Sequence, residues 1–243
     1  MTIVRSAIFT TCLWIWTLSA GLVLLPFLLA PRSVVYNLGF IWSVVALWLL
    51  RITVGINHTV SGVIQPDPSR QYIYALKHQS TWETIFFVAA GPRCAAVLKQ
   101  QLRYIPIYGW YLGRIGMVPI ERSAGAVALK RMLSAARRYV SVGRHLLIMP
   151  EGTRMPSGRT GRYHPGVFAL YKYLDLSVIP VAHNSGLFWG RGRFVKTSGT
   201  IRVEFLEPID PGLDKEAFMA LLQDRIESAA AVLHEKGLSE RSA

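Results

Sequence analysis

The chain has 243 residues, a formal net charge of +13 and only two cysteines. That length holds one α/β domain of roughly 190 residues with an N-terminal appendage. Cys12 and Cys94 cannot build a disulfide framework, which excludes a small stapled scaffold.

The N-terminal region is the most apolar part of the chain. Residues 6–31 carry no charged side chain, and neither do residues 33–50. A helix needs about 20 apolar residues to cross the hydrocarbon core. The first stretch is long enough, although Pro26 should kink or end it; the second is borderline. Three readings compete. A cleaved signal peptide fits Arg5 ahead of an apolar run, but the run outlasts an ordinary h-region and lacks a small-residue cleavage site. The others are a pair of spanning helices and a hairpin that enters one leaflet, with Pro26, Pro31 and Arg32 between its arms. Arg5, Arg32 and Arg51 could snorkel to a headgroup layer, and Trp14, Trp16, Trp42 and Trp48 suit an interface. Residues 1–52 are therefore read as a membrane-anchoring segment and residues 53–243 as the functional domain.

Beyond Arg51, short apolar runs alternate with helix-like segments, the pattern of βα units. The predicted strands are 72–76, 94–98, 117–120, 145–149, 177–181 and 200–206. The last alternates most clearly and reads as half-exposed, near an edge. A helix over 123–142 places Val127 or Leu129, Met132, Leu133, Ala136 and Val140 on one face. Lys130, Arg131, Arg137 and Arg138 form a basic stripe on another, to lie on headgroups or face water. A second amphipathic helix over 214–236 buries Phe218, Leu221, Leu222, Ile226 and Leu233, with Gly237 as its stop. The expected fold is α/β, a mostly parallel or mixed sheet flanked by helices, preceded by a membrane-associated helical hairpin.

The charge is uneven. Residues 90–165 hold thirteen Lys or Arg against Glu121 and Glu151, a net of +11, whereas residues 166–243 sit at −1. Such a block attracts an anionic membrane, a phosphate-bearing substrate or nucleic acid. An apolar anchor on the same chain favours the first two.

Two polar clusters follow predicted strands. The first is Lys77-His78-Gln79-Ser80-Thr81-Trp82-Glu83-Thr84. His78 lies at a strand-to-helix junction, where open α/β sheets bind ligands. A neutral imidazole there can take a proton from a hydroxyl, with Glu83 fixing its tautomer. Glu83 has a second reading: Ser80 to Glu83 is a capping box, in which the carboxylate only satisfies a backbone donor. The two roles can coexist. The second cluster is Met149-Pro150-Glu151-Gly152-Thr153-Arg154. Gly152 permits a tight turn and Arg154 is a forked donor suited to phosphate. A third strand end, Pro119-Ile120-Glu121-Arg122, carries another arginine. His58, His145, His164, His183 and His234 lack a carboxylate at comparable spacing and are read as structural. No His or Cys grouping has zinc-ligand spacing, so no metal is expected.

These motifs resemble the glycerolipid acyltransferases, most closely the bacterial 1-acylglycerol-3-phosphate acyltransferases. The resemblance rests on His78 with Glu83, on Gly116 to Arg122, on Pro150 to Arg154 and on Val178-Ile179-Pro180-Val181, in the family's order. It departs at Glu83, where the family usually has Asp. It implies His78 as general base and Glu83 as its orienting partner. It also implies Arg122 and Arg154 on the acceptor's phosphate, with Glu151, Gly152 and Thr153 shaping that site and Lys99 as a further basic contact. The implied reaction moves an acyl chain from acyl-CoA or acyl carrier protein to the 2-hydroxyl of lysophosphatidic acid, without metal or redox cofactor. The implied setting is the cytoplasmic side of a bacterial inner membrane. Another lysolipid, such as a lyso-ornithine lipid, would need the same chemistry. A membrane-anchored binder of anionic lipid or nucleic acid would explain the basic block but not the ordered motifs.

Overall fold

The computed structural model describes residues 1–121 and 125–242. Two helices open the chain, α1 (Thr2–Val23) and α2 (Arg32–Val54), joined by a 3-10 turn over Leu25–Leu29 that contains Pro26. They pack against each other as a hairpin, with Trp16 Nε1 donating to Trp42 O and Trp42 Nε1 to Thr17 Oγ1. Both helices are long and apolar enough to cross a membrane, and most of their surface is unburied.

The hairpin lies along the domain rather than projecting from it. At one end Ser6 Oγ accepts the Lys196 N–H at 2.9 Å, beside an Arg5 to Thr53 O bond that joins the two helices to each other. At the other, Tyr111 Oη donates to Gly21 O, the Arg114 guanidinium to Ala30 O, and Arg93 to Asn37 Oδ1. Each helix is about 33 Å long, so these ties anchor the hairpin along its length. Its inward face buries Phe9, Leu50 and Val54 in the core, worth about 1.5–3 kcal/mol for each side chain. Ile8, Trp14, Ile15, Leu18, Phe40, Ile41 and Trp48 face outward and are exposed.

The domain is a seven-stranded mixed sheet with the order β1-β7-β6-β2-β5-β3-β4. The strands are β1 (Ile56–Gly62), β2 (Ile73–Leu76), β3 (Cys94–Lys99), β4 (Met117–Ile120), β5 (His145–Ile148), β6 (Val178–His183) and β7 (Gly199–Phe205). Strands β6, β2, β5, β3 and β4 run parallel, whereas β7 is antiparallel to β6 and parallel to β1. All residues of β2 are buried, as a strand covered on both faces requires. Alternate side chains of β2 enter opposite cores: Tyr74 and Leu76 meet the hairpin and α3 (Trp82–Ala90), and Ile73 and Ala75 meet α5 (Gly125–Val140), α6 (Gly166–Leu174) and α8 (Lys215–Ser242).

Three expectations need correction. Strand β1 is absent from the sequence reading, because its residues after Ile56 are exposed and carry no apolar alternation. In α5 the buried face is Ala128, Met132, Ala136 and Tyr139, while Val127 and Leu129 are exposed. Helix α8 does not stop at Gly237 but runs to Ser242. A side chain at Gly237 would come within 2.7 Å of Leu187 and 2.8 Å of Asn184, so the glycine permits close packing inside the helix. The basic stripe of α5 also falls on the sheet face opposite the hairpin.

Candidate active site

The parallel arrangement brings the polar clusters to one edge. The chain leaves the carboxyl ends of β2, β5 and β3 at Lys77-His78, at the Glu151–Arg154 turn and at Lys99. Strand β6 ends there as well, leading to Asn184 and to α7 (Ser185–Phe188). This is the edge at which open α/β sheets hold ligands.

Glu83 is fully buried at the start of α3, and its carboxylate gathers four donors. Oε1 accepts from the Gln79 N–H at 2.9 Å, from the Ser80 N–H at 2.8 Å and from His78 Nδ1 at 2.8 Å. Oε2 accepts from Ser185 Oγ at 3.0 Å. The capping and orienting roles therefore coexist, though Ser80 Oγ accepts the Trp82 N–H in a turn shifted one residue from the expected box. Burial pushes the Glu83 carboxyl up. The His78 hydrogen bond, the electrostatic influence of the His183 and His78 rings and the Ser80 N–H outweigh this, leaving it below its ordinary value. An ionised Glu83 accepts only, so His78 carries its proton on Nδ1. Its Nε2 is the basic nitrogen, and the side chain keeps 15% of its surface exposed. Among the described residues no protein group bonds that nitrogen.

The main chain of His78 is fixed too. Its N–H donates to Glu151 Oε2 at 2.8 Å, and its carbonyl accepts the Met155 N–H at 2.7 Å. These bonds stitch the β2 turn to the β5 turn. Gly152 takes a φ of 62°, a left-handed conformation that suits glycine within this tight bend. Glu151 turns inward: it is 2% exposed and pairs with Lys77 Nζ at 3.1 Å, while Lys77 also meets Glu227 of α8. Burial raises the Glu151 carboxyl above its ordinary value, opposed by Lys77 and by the His78 N–H. Thr153 is exposed and Arg154 is half-buried. Lys99 ends β3 with its side chain exposed. Arg122 lies outside the described residues.

His183 lies behind the site and is fully buried. Its Nε2 donates to Lys77 O at 2.7 Å, and its Nδ1 accepts the Ser185 N–H at 3.3 Å. Those partners require the neutral ring, and burial lowers its pKa. Reading the sequence missed Lys77, His183, Ser185 and Glu227. The signals available were a lysine ending an apolar strand and the polar run His183-Asn184-Ser185 ending another.

A family model described as "Acyltransferase" matches residues 55–184, more than half of the chain. The chain belongs to the acyltransferase family. A 1-acyl-sn-glycerol-3-phosphate acyltransferase of Pseudomonas aeruginosa is 38% identical over 180 residues, 74% of this chain and 68% of that protein. A human 1-acyl-sn-glycerol-3-phosphate acyltransferase beta is 28% identical over 159 residues, 64% of this chain and 56% of its own. The fold of this acyltransferase matches a crystal structure of the 1-acyl-sn-glycerophosphate acyltransferase PlsC of Thermotoga maritima. The TM-score is 0.78 at 20% identity, covering 96% of this chain and 95% of that one. Ser185 and Glu227, which hold Glu83 and Lys77, fall outside the family match.

Proposed function

We propose that the protein transfers an acyl chain from a thioester, acyl-CoA or acyl carrier protein, to the 2-hydroxyl of lysophosphatidic acid, giving phosphatidic acid. The observation that carries this reading is the 2.8 Å His78 Nδ1–Glu83 Oε1 bond, with Nε2 free of protein partners among the described residues. The printed names of the relatives support the acceptor class. His78 Nε2 takes the hydroxyl proton as the oxygen attacks the thioester carbonyl. The tetrahedral intermediate collapses and breaks the C–S bond. The departing thiolate then recovers the proton from His78, so the thiol leaves and the ester remains. Glu83 holds the ring and stabilises its imidazolium. No acyl-enzyme and no cofactor take part.

Arg154 binds the acceptor phosphate, joined by Lys99 and Arg122, while Glu151, Gly152 and Thr153 set the turn that presents it. The hairpin embeds in one leaflet and holds the site at the surface from which acceptor and product exchange. Its ties to the domain through Ser6 at one end and through Gly21 and Ala30 at the other support embedding over spanning. The placement is on the cytoplasmic face of a bacterial inner membrane, where both thioester donors occur.

The test is an assay of purified protein with lysophosphatidic acid and a panel of acyl-CoA and acyl carrier protein thioesters, beside His78→Ala. Acyl transfer that collapses in His78→Ala supports the mechanism. Full activity of that variant would rule out the histidine base, and equal use of phosphate-free lysolipids would rule out the acceptor.

A further inference from the structure

The loop between α7 and β7 carries Gly190-Arg191-Gly192-Arg193, in a region outside the family match. Its two ends are pinned. At its start, Ser185 Oγ holds Glu83, and the Gly186 N–H donates to Gln79 Oε1 at 3.1 Å. At its end, Lys196 is buried against α1: its N–H donates to Ser6 Oγ, and its ammonium sits over the Phe9 and Trp189 rings. Between these anchors Arg191 Nη1 donates to Arg154 O at 2.9 Å. The residue after Arg154 is Met155, whose N–H bonds the His78 carbonyl. Arg191 thus docks on the turn that carries the phosphate-binding arginine, one residue from a direct link to His78.

Neither guanidinium has a carboxylate within ion-pair distance among the described residues. Arg191 is exposed and uses one of its five N–H donors on the carbonyl. Burial raises the phenol of Tyr108, the first residue of α4 (Tyr108–Ile115), and the Arg154 charge lowers it. Two uncompensated forked cations, one on the turn after β5 and one on the loop docked against it, are matched to a doubly charged oxyanion.

We propose that Arg191 is a second phosphate-binding cation of the acceptor site, selecting a lysolipid phosphate monoester over a phosphodiester. The proposal rests on the acyltransferase reading above. A monoester has a second pKa near 6 and carries close to two charges at neutral pH, whereas a diester carries one. Arg154 can neutralise the charge common to both; Arg191 meets the extra charge and the unsubstituted oxygens of the monoester.

The test compares 1-oleoyl lysophosphatidic acid with 1-oleoyl lysophosphatidylglycerol in mixed detergent micelles, using the full chain. Arg191→Gln keeps a polar side chain but removes the charge, and Arg191→Ala removes both. Both variants should raise KM for lysophosphatidic acid about ten-fold or more, the scale of a lost charge-assisted hydrogen bond, with kcat unchanged. Their kinetics on the diester, and their KM for acyl-CoA, should stay within about two-fold. Wild-type behaviour of Arg191→Gln, an equal loss on both lipids, or a rise confined to the acyl-CoA KM overturns the proposal. Arg154→Ala separates it from the reading beneath: this variant should lose affinity for both lipids. If it loses affinity for neither, the phosphate-site reading fails together with the proposal.

Discussion

Lys77 and Glu227 lie 150 residues apart in the chain, yet Lys77 Nζ is 2.7 Å from Glu227 Oε1 and 2.8 Å from Oε2. Glu151 takes a third contact on the same ammonium, and Tyr163 Oη and Thr160 Oγ1 donate to Glu227. The network ties α8 to the strand end that carries His78. Removing the cation leaves two carboxylates facing each other with little water. Lys77→Met should therefore lower stability by about 3–5 kcal/mol, the range for breaking a buried ion pair from one side. Glu227→Gln, which keeps the shape and leaves Lys77 with Glu151, should cost less. Urea unfolding of the three proteins checks the ranking; an unchanged midpoint for Lys77→Met would contradict it.

Glu83 reaches both His78 and Ser185 because glutamate is long enough to place one oxygen on each. In Glu83→Asp the carboxylate falls short of one of them. We expect kcat to drop at least ten-fold with the acceptor KM little changed, because the base loses orientation rather than the acceptor its contacts. Ser185→Ala leaves Oε2 buried without a donor and should cost about 1–3 kcal/mol of stability. Steady-state kinetics and thermal unfolding read the two effects separately.

Stability should fall towards acid in two stages. His183 has a folded pKa below its ordinary 6.5, so the unfolded chain takes up its proton first. Its contribution is complete above about 6.5 and is lost as pH falls towards the folded value. Glu83 is also lowered, from an ordinary 4.5, so its contribution is complete above 4.5 and is lost further down. Glu151 has the opposite sign: its folded pKa is raised, so its contribution is complete below 4.5 and is lost as pH rises through the folded value. Denaturant midpoints between pH 7 and pH 5 should decline in the wild type and decline less in a folded His183→Asn. Equal slopes would remove His183 as the cause.

The hairpin's ties predict its topology. Single cysteines at Thr2 and at Leu29, near opposite ends of α1, should both react with a membrane-impermeant maleimide from the same side of sealed vesicles, in a Cys12→Ser background. Labelling of the two positions from opposite sides would show a spanning helix instead.

Much of the frame was legible in the sequence because it rests on local periodicity. The strands at 73–76, 94–99, 117–120 and 145–148 were expected within a residue or two at each end. The His78–Glu83 pair was legible because five residues of chain bring it together. What escaped depends on distance along the chain. Ser185 reaches Glu83 across 102 residues, and Lys77 reaches Glu227 across 150. Neither has a local pattern, since a buried lysine and a surface lysine look alike until their neighbours are known. Strand β1 escaped for a different reason: it borrows its place from pairing with β7 rather than from its own apolar face.

The contacts that span the chain also impose an order in time. Synthesis runs from the N-terminus at roughly 5–20 residues per second. The 150 residues between Lys77 and Glu227 therefore take roughly eight to thirty seconds to follow. The apolar hairpin leaves the ribosome well before the carboxylate that completes the Lys77 network. A nascent chain therefore carries its apolar hairpin well before the candidate site is complete, and a chain cut short ahead of α8 would keep His78, Glu83 and Ser185 but lack the Glu227 carboxylate that holds Lys77.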